Sequence, residues 1–240
     1  MELTICEKWT LYCPEPTEEG QWFLDYVLRS PRDAGIHLTA GLNAYQALSE
    51  LGVKPDTAME YFGGMGAQSG MIQHFFSVRS HLVLDNSEEA VRHIESNMEG
   101  YDVVASCEDS YDPASYRPAD IVGLDFGDLT VWKTREGEKH RELLDRVFAG
   151  KPKGVVLTDV ACRYLHLHRE RYETLLGAGT CADYPTYLEA LADRLEEIYG
   201  YVMVAGFHHR WSTVMALRPE GVRGEFIPTP ESPVGLVVTR

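Results

Sequence analysis

The 240-residue sequence predicts an α/β protein built on a mainly parallel sheet of about seven strands, closed by an antiparallel hairpin. Three observations predict it. From residue 56 onward, short apolar runs alternate with amphipathic stretches of helical period. The first run, 57–62, leads straight into the glycine-rich stretch "GGMG". Near the end, the apolar runs 201–207 and 212–218 flank only the short "HHRW", as two hairpin strands would.

The elements follow in order. Residues 1–55 read as a helical N-terminal extension that lids the site, with residues 56–240 as the main domain. Trp22, Phe23, Tyr26 and Val27 take helical spacing after Thr17, and Ser30-Pro31 stops that helix. A second helix starts at Asn43 as its cap, buries Ala44, Tyr45, Leu48 and Leu51, and ends at Gly52. Strands are expected at 57–62, 80–86, 101–109, 119–128 and 153–161. Helices are expected at 67–76, at 87–98 with Ser87 as cap, at 138–150 and at 184–200. The last segment, 225–240, adds a strand whose prolines confine it to an edge.

Composition narrows the function. With 44% hydrophobic and 25% charged residues the chain is an ordinary globular one. No stretch reaches the roughly 20 apolar residues of a membrane span. No basic leader with an apolar core is visible at the N-terminus. Five scattered cysteines (Cys6, Cys13, Cys107, Cys162, Cys181), none in a CxxC pair, fit reduced thiols and a cytoplasmic location. The net charge of -15 opposes non-specific coating of nucleic acid. Residues 133–171 nevertheless hold ten of the 22 Lys and Arg, a local basic segment able to meet phosphate. Its stretch "CRYLHLHRERY" reads equally well as base-stacking surface or as a half-buried helix.

The chemistry gathers at strand ends. Gly63, Gly64 and Gly66 permit positive φ and close approach of a ligand to the backbone. Glu60 just before them repels phosphate but suits an amine or a hydroxyl, which weakens a dinucleotide reading. Asp85, 19 residues beyond Gly66, ends the second strand, where an acid accepts from both ribose hydroxyls. Asn86 follows it. Asp109, with Ser110 beside it, closes the third strand and is placed to meet an exocyclic adenine amine. Asp125 and Asp128 of "GLDFGD" end the fourth strand and face the same crevice; Thr158 and Asp159 end the fifth.

With these residues the chain resembles the class I S-adenosylmethionine-dependent methyltransferases, over roughly residues 56–218. Their first motif has the form acid-x-Gly-x-Gly-x-Gly. Glu60, Phe62, Gly64 and Gly66 match it, with Phe62 in place of the first glycine, a form that recurs in nucleic-acid methyltransferases. The resemblance implies a Rossmann-like fold and S-adenosylmethionine as cofactor. It implies Glu60 at the methionine amine, directly or through water, Phe62, Gly63, Gly64 and Gly66 around the cofactor, Asp85 at the ribose and Asp109 at the adenine, with Asn86 and Ser110 also among the cofactor-binding residues. It implies Asp125 or Asp128 as the catalytic acid of the fourth motif, with RNA or DNA as acceptor. A small molecule or protein acceptor, or a non-catalytic binding module of the same fold, are the rival readings.

The departures are specific. "DFGD" lacks the Asp/Asn-Pro-Pro-aromatic of DNA amino-methyltransferases, and no cysteine follows a proline. It is closer to the Asp-Pro-Phe-Gly of tRNA guanine-N2 methyltransferases, without the proline. No metal site is expected. His166, His168, His208 and His209 have no partner at zinc spacing, and the last two read as a polar hairpin tip. No Gly-x-Ser-x-Gly marks a hydrolase.

Overall fold

The computed structural model describes residues 2–6, 9–12, 31–125, 135–158, 183–209, 212–230 and 237–239, with 173 and 179 as isolated positions. Eleven strands, five α-helices and one 3₁₀ turn (Pro113–Ser115) occur among them. Strands β1 (Glu2–Cys6) and β2 (Trp9–Tyr12) pair with each other, and β1 pairs with the C-terminal β11 (Val237–Thr239), all antiparallel. Residues 2–6 and 9–12 are therefore extended and not helical, against the reading of 1–55 as a helical extension. Their strand partner is contributed by the opposite end of the chain, which local periodicity does not reveal. The helix expected within 17–30 lies outside the described residues.

Helix α1 (Pro31–Glu50) is longer than expected. Pro31 opens it, since the first turn has no use for the missing N–H. Asn43 lies in its interior and does not cap it. Gly35, Gly41 and the β-branched Ile36 and Thr39 lower the local helix propensity, and packing overrides it. A Cβ on Gly41 would come within 2.9 Å of the Met71 sulfur, so the glycine permits close approach of the next helix. The end is as expected. Gly52 takes φ 80°, Val53 N–H donates to Leu48 O and Gly52 N–H to Ser49 O, a Schellman pair.

The large sheet holds β3 (Thr57–Tyr61), β4 (Ser80–Asp85), β5 (Val103–Cys107), β6 (Ile121–Asp125) and β7 (Gly154–Thr158). It also holds β8 (Val202–His209), β9 (Ser212–Arg218) and β10 (Phe226–Pro228). Their order is β5-β4-β3-β6-β7-β9-β8-β10. Strands β3 to β7 are mutually parallel, and β9 runs antiparallel between β7 and β8. The expected fold class holds. The sheet has eight strands because β10 pairs parallel to β8 at the edge where its prolines confine it. His208 and His209 lie in β8 and not in the turn, paired with Thr213 and Ser212.

Helices α2 (Ala67–Phe76), α3 (Glu88–Asn97), α4 (Arg135–Ala149) and α5 (Tyr184–Tyr199) complete the layers. Strand alternation sorts the core into two faces. Met59, Tyr61, Val122, Leu124, Val155 and Leu157 pack with Leu143, Leu144, Val147 and Leu188 of α4 and α5. Ala58, Ile121 and Val156 pack with Tyr45 and Leu48 of α1 and Ile72 of α2. By the same period of two, Glu60, Gly123, Asp125 and Thr158 share the α1–α2 side of the sheet. Among the described residues no helix is long and apolar enough to cross a membrane.

Candidate functional site

The chain leaves β3 for β4 and β5 on one side, then returns to β6 on the other, so strand order reverses at the β3/β6 boundary. Ligands of open parallel sheets bind there, beyond the carboxyl ends. The glycine stretch sits at that point. Phe62 takes φ 63°, Gly64 φ 51° and Gly66 φ 80°, and Gly66 begins α2 without a side-chain cap. Gly63 is required for another reason. A Cβ there would lie 2.3 Å from Val83 Cγ1 and 2.8 Å from Ile94 Cδ1. Beside Gly64 the same added atom meets nothing within 4 Å, so the loop is open on that side.

Asp85 joins the loops after β3, β4 and β5. Gly64 N–H donates to its Oδ2 at 2.9 Å and Ser87 N–H to its Oδ1 at 2.9 Å. Glu108 N–H donates to its carbonyl at 3.0 Å. Each carboxylate oxygen keeps a lone pair for a further donor. Ser87 caps α3 as expected, accepting from Ala90 N–H at 3.2 Å. Asn86 is exposed beside Asp85. Asp109 is exposed and accepts from Tyr111 N–H at 2.9 Å, while Ser110 is buried with no partner for its Oγ among the described residues.

Phe62 and the 107–112 stretch meet through aromatic rings. Phe62 and Tyr111 are 5.2 Å apart between centroids, and Tyr111 and His140 of α4 are 5.3 Å apart. The Lys139 ammonium lies 5.4 Å from the Tyr111 ring centre. Arg146 Nη2 donates to Tyr111 O at 2.8 Å. Helix α4 is thereby fixed against one wall of the site.

Glu60 points away from the open side of the loop. It is 1% exposed, accepts from Ser69 Oγ at 2.5 Å, and has His81 Nε2 at 3.6 Å. Asp125, at the end of β6, accepts from Thr158 Oγ1 at 2.6 Å. Its side chain is exposed to solvent beside the buried Thr158. Loss of hydration there raises the Asp125 pKa, and Glu60 adds to it, while His37 and the Thr158 hydroxyl oppose. Thr158 in turn accepts from Gln68 Nε2 at 3.3 Å, and Tyr45 OH donates to Gln68 Oε1 at 2.6 Å. Burial, with Glu60 and Asp125 nearby, pushes the Tyr45 phenol well above its ordinary value.

Of the residues named from sequence, the structure joins Gly63 and Gly64 to Asp85, Phe62 to the neighbour of Asp109 and Ser110, and Asp125 to Thr158. It does not join Asp109 to Asp125. Asp128, Asp159 and residues 159–172 lie outside the described residues. Lys151 and Lys153 of the basic segment precede β7 and stand at the opposite end of the sheet from Asp125. Sequence reasoning missed His37, Gln68, Ser69 and Tyr111. Gln68 and Ser69 carried one signal, two polar side chains on an otherwise apolar helix directly after the glycines.

No family model matches the sequence, and no curated protein matches it. Solved structures do. Magnesium protoporphyrin IX methyltransferase from Synechocystis PCC 6803, solved with bound SAH, superposes with TM-score 0.56 at 13% identity. That match covers 83% of this chain and 93% of the other. The chain has the class I methyltransferase fold. N-methyltransferase NodS from Bradyrhizobium japonicum WM9 gives 0.50 at 12% identity, over 75% of this chain and 94% of its own. An O-methyltransferase family protein from Burkholderia thailandensis gives 0.50 at 17%, over 87% and 64%. At these identities the likeness is one of fold.

Proposed function

We propose that the protein is an S-adenosylmethionine-dependent methyltransferase whose acceptor atom is a nitrogen or oxygen bearing a proton. One observation carries this reading. At the switch point of a class I sheet, Gly64 presents an open backbone and donates to Asp85, the acid placed for a ribose. The buried, unpartnered Ser110 hydroxyl and the exposed Asn86 and Asp109 supply further polar groups around the same loop. The residues present therefore fit the cofactor. When bound it supplies an activated methyl group on a sulfonium sulfur.

Asp85 would orient the ribose, and Gly63, Gly64 and Gly66 would let the cofactor approach the main chain. Glu60, buried on Ser69, shapes the loop from beneath. Asp125 would hydrogen-bond the acceptor, align it and take up its proton.

Two acceptor classes have support. Phe62 in the first motif, with exposed Lys139 and Arg141 on α4, favours a nucleic acid. The net charge of -15, and the pairing of Lys153 with Asp120 at 3.1 Å far from the site, favour a small molecule. Retention on heparin at low salt separates them, since phosphate binding requires it.

The deciding experiment is labelled methyl transfer to tRNA, rRNA, duplex DNA and a metabolite pool, with calorimetry of S-adenosylmethionine binding. Wild type is expected to bind, and Asp85→Ala to lose affinity and transfer together. A wild type that binds no S-adenosylmethionine overturns the reading. Binding without transfer to any acceptor leaves only a binding module.

A further inference from the structure

Three hydrogen bonds run in series from the interior to the open end of β6. Tyr45 OH donates to Gln68 Oε1 at 2.6 Å, Gln68 Nε2 to Thr158 Oγ1 at 3.3 Å, and Thr158 Oγ1 to Asp125 Oδ1 at 2.6 Å. The first three side chains are buried. The direction is fixed by chemistry. Burial keeps the Tyr45 phenol protonated, so it offers its proton to the amide oxygen and turns the amide nitrogen toward Thr158. Thr158 has one proton, and having accepted from Gln68 it spends that proton on the carboxylate; its Leu124 O contact, at 3.5 Å, is much longer.

Strand β6 is built around this chain of donors. A Cβ on Gly123 would lie 2.7 Å from both Tyr45 OH and Gln68 Oε1. The position two residues before Asp125 is thus a glycine because the donor chain passes beneath it.

We infer that Tyr45, Gln68 and Thr158 are positioning residues that favour the ionised form of Asp125 and occupy its Oδ1, leaving Oδ2 to receive the acceptor's proton. The assignment of the acceptor rests on the methyl-transfer reading, whereas the donor chain does not. It sharpens the acceptor class. An ionised Oδ2 selects an amine, an amide nitrogen or a hydroxyl and repels a carboxylate. Among the described residues the titratable groups facing Asp125 are His37 and Tyr45 of α1 and Glu60 of β3. His37 favours the ionised form and Glu60 opposes it.

The test compares Thr158→Val, which keeps the shape but removes the donor, with Thr158→Ser, which restores it. Asp125 is titrated by ¹³C NMR of the carboxyls, with Asp125→Asn for assignment, and the pH profile of methyl transfer is recorded. In Thr158→Val the carboxyl is expected to titrate at higher pH and the acidic limb of the profile to move up with it. Transfer at neutral pH falls about tenfold, the scale of one charge-assisted hydrogen bond. Thr158→Ser returns both toward wild type. Calorimetry with S-adenosylhomocysteine should give affinities within about twofold for all three proteins, since the lost bond lies outside the cofactor loop. An Asp125 that titrates unchanged in Thr158→Val overturns the inference, as does a serine variant no better than the valine. If wild type methylates nothing, the methyl-transfer reading fails while the NMR titration still decides the donor chain.

Discussion

Phe62 holds φ 63°, a conformation that costs a residue with a Cβ about 1–2 kcal/mol relative to glycine. What offsets it is visible, because the ring packs on Tyr111 at 5.2 Å in a tilted arrangement. The two effects separate by mutation. Phe62→Ala removes the ring and keeps the strained backbone, whereas Phe62→Gly removes both. The glycine variant is expected to be the more stable of the two by about 1 kcal/mol in urea unfolding, despite its larger unfolded-state entropy. An alanine variant of equal or greater stability would show that the backbone there is not strained. Which residue fills the position was legible in the sequence; that its ring leans on Tyr111 was not, because the two are joined only through the fold.

Strand β6 carries an aspartate at each end, and their environments are opposite. Asp120, just before the strand, ties the amino ends of three neighbouring strands. Its Oδ2 accepts from Asp56 N–H at 2.7 Å and Thr57 N–H at 3.3 Å, and Lys153 Nζ lies 3.1 Å from Oδ1. Partial burial works against ionisation, but these donors and the lysine charge outweigh it and lower the Asp120 pKa. An acid with a depressed folded-state pKa stabilises the fold above the ordinary carboxylate range and loses that contribution as pH falls through the folded value. Asp120→Asn is therefore expected to cost about 1–2 kcal/mol at neutral pH. Its stability should also fall less on acidification than that of wild type, as followed by thermal melts across pH. A variant with a wild-type melting temperature at pH 7 would refute the clamp. The strand itself, and the alternation that turns Gly123, Asp125 and their neighbours to one side, were readable from an apolar run. The hydrogen bonds at its two ends were not, since Asp120 and Asp125 look alike in sequence.

Across the whole molecule the fold was legible where period and caps agree, as at Ser87 before α3 and Gly52 after α1. It was not legible where a partner comes from the far end of the chain, as in the pairing of β1 with β11, or where packing overrides propensity, as along α1. The site divides the same way: the loop and Asp85 stood out, while Tyr45, Gln68 and His37 serve through burial and position. The resulting molecule is stapled at the amino ends of its strands and frustrated at the carboxyl ends. Asp125 shows the frustration directly. Because burial raises its folded pKa above the unfolded value, it stabilises the fold when protonated, and that contribution is lost as pH rises through the folded value. Asparagine at 125 removes the charge and still accepts from Thr158, so Asp125→Asn should melt higher than wild type at pH 7. The gain should vanish near about pH 3.5, where a carboxyl in the unfolded chain is itself largely protonated. The same variant should lose roughly 10²–10⁴-fold in methyl transfer, as removal of a proton acceptor does. Higher stability with lost activity marks a residue kept for function against the fold's own preference. A variant less stable than wild type at pH 7 would instead make Asp125 an anchor of the sheet, and would leave the proton-accepting role without its thermodynamic signature.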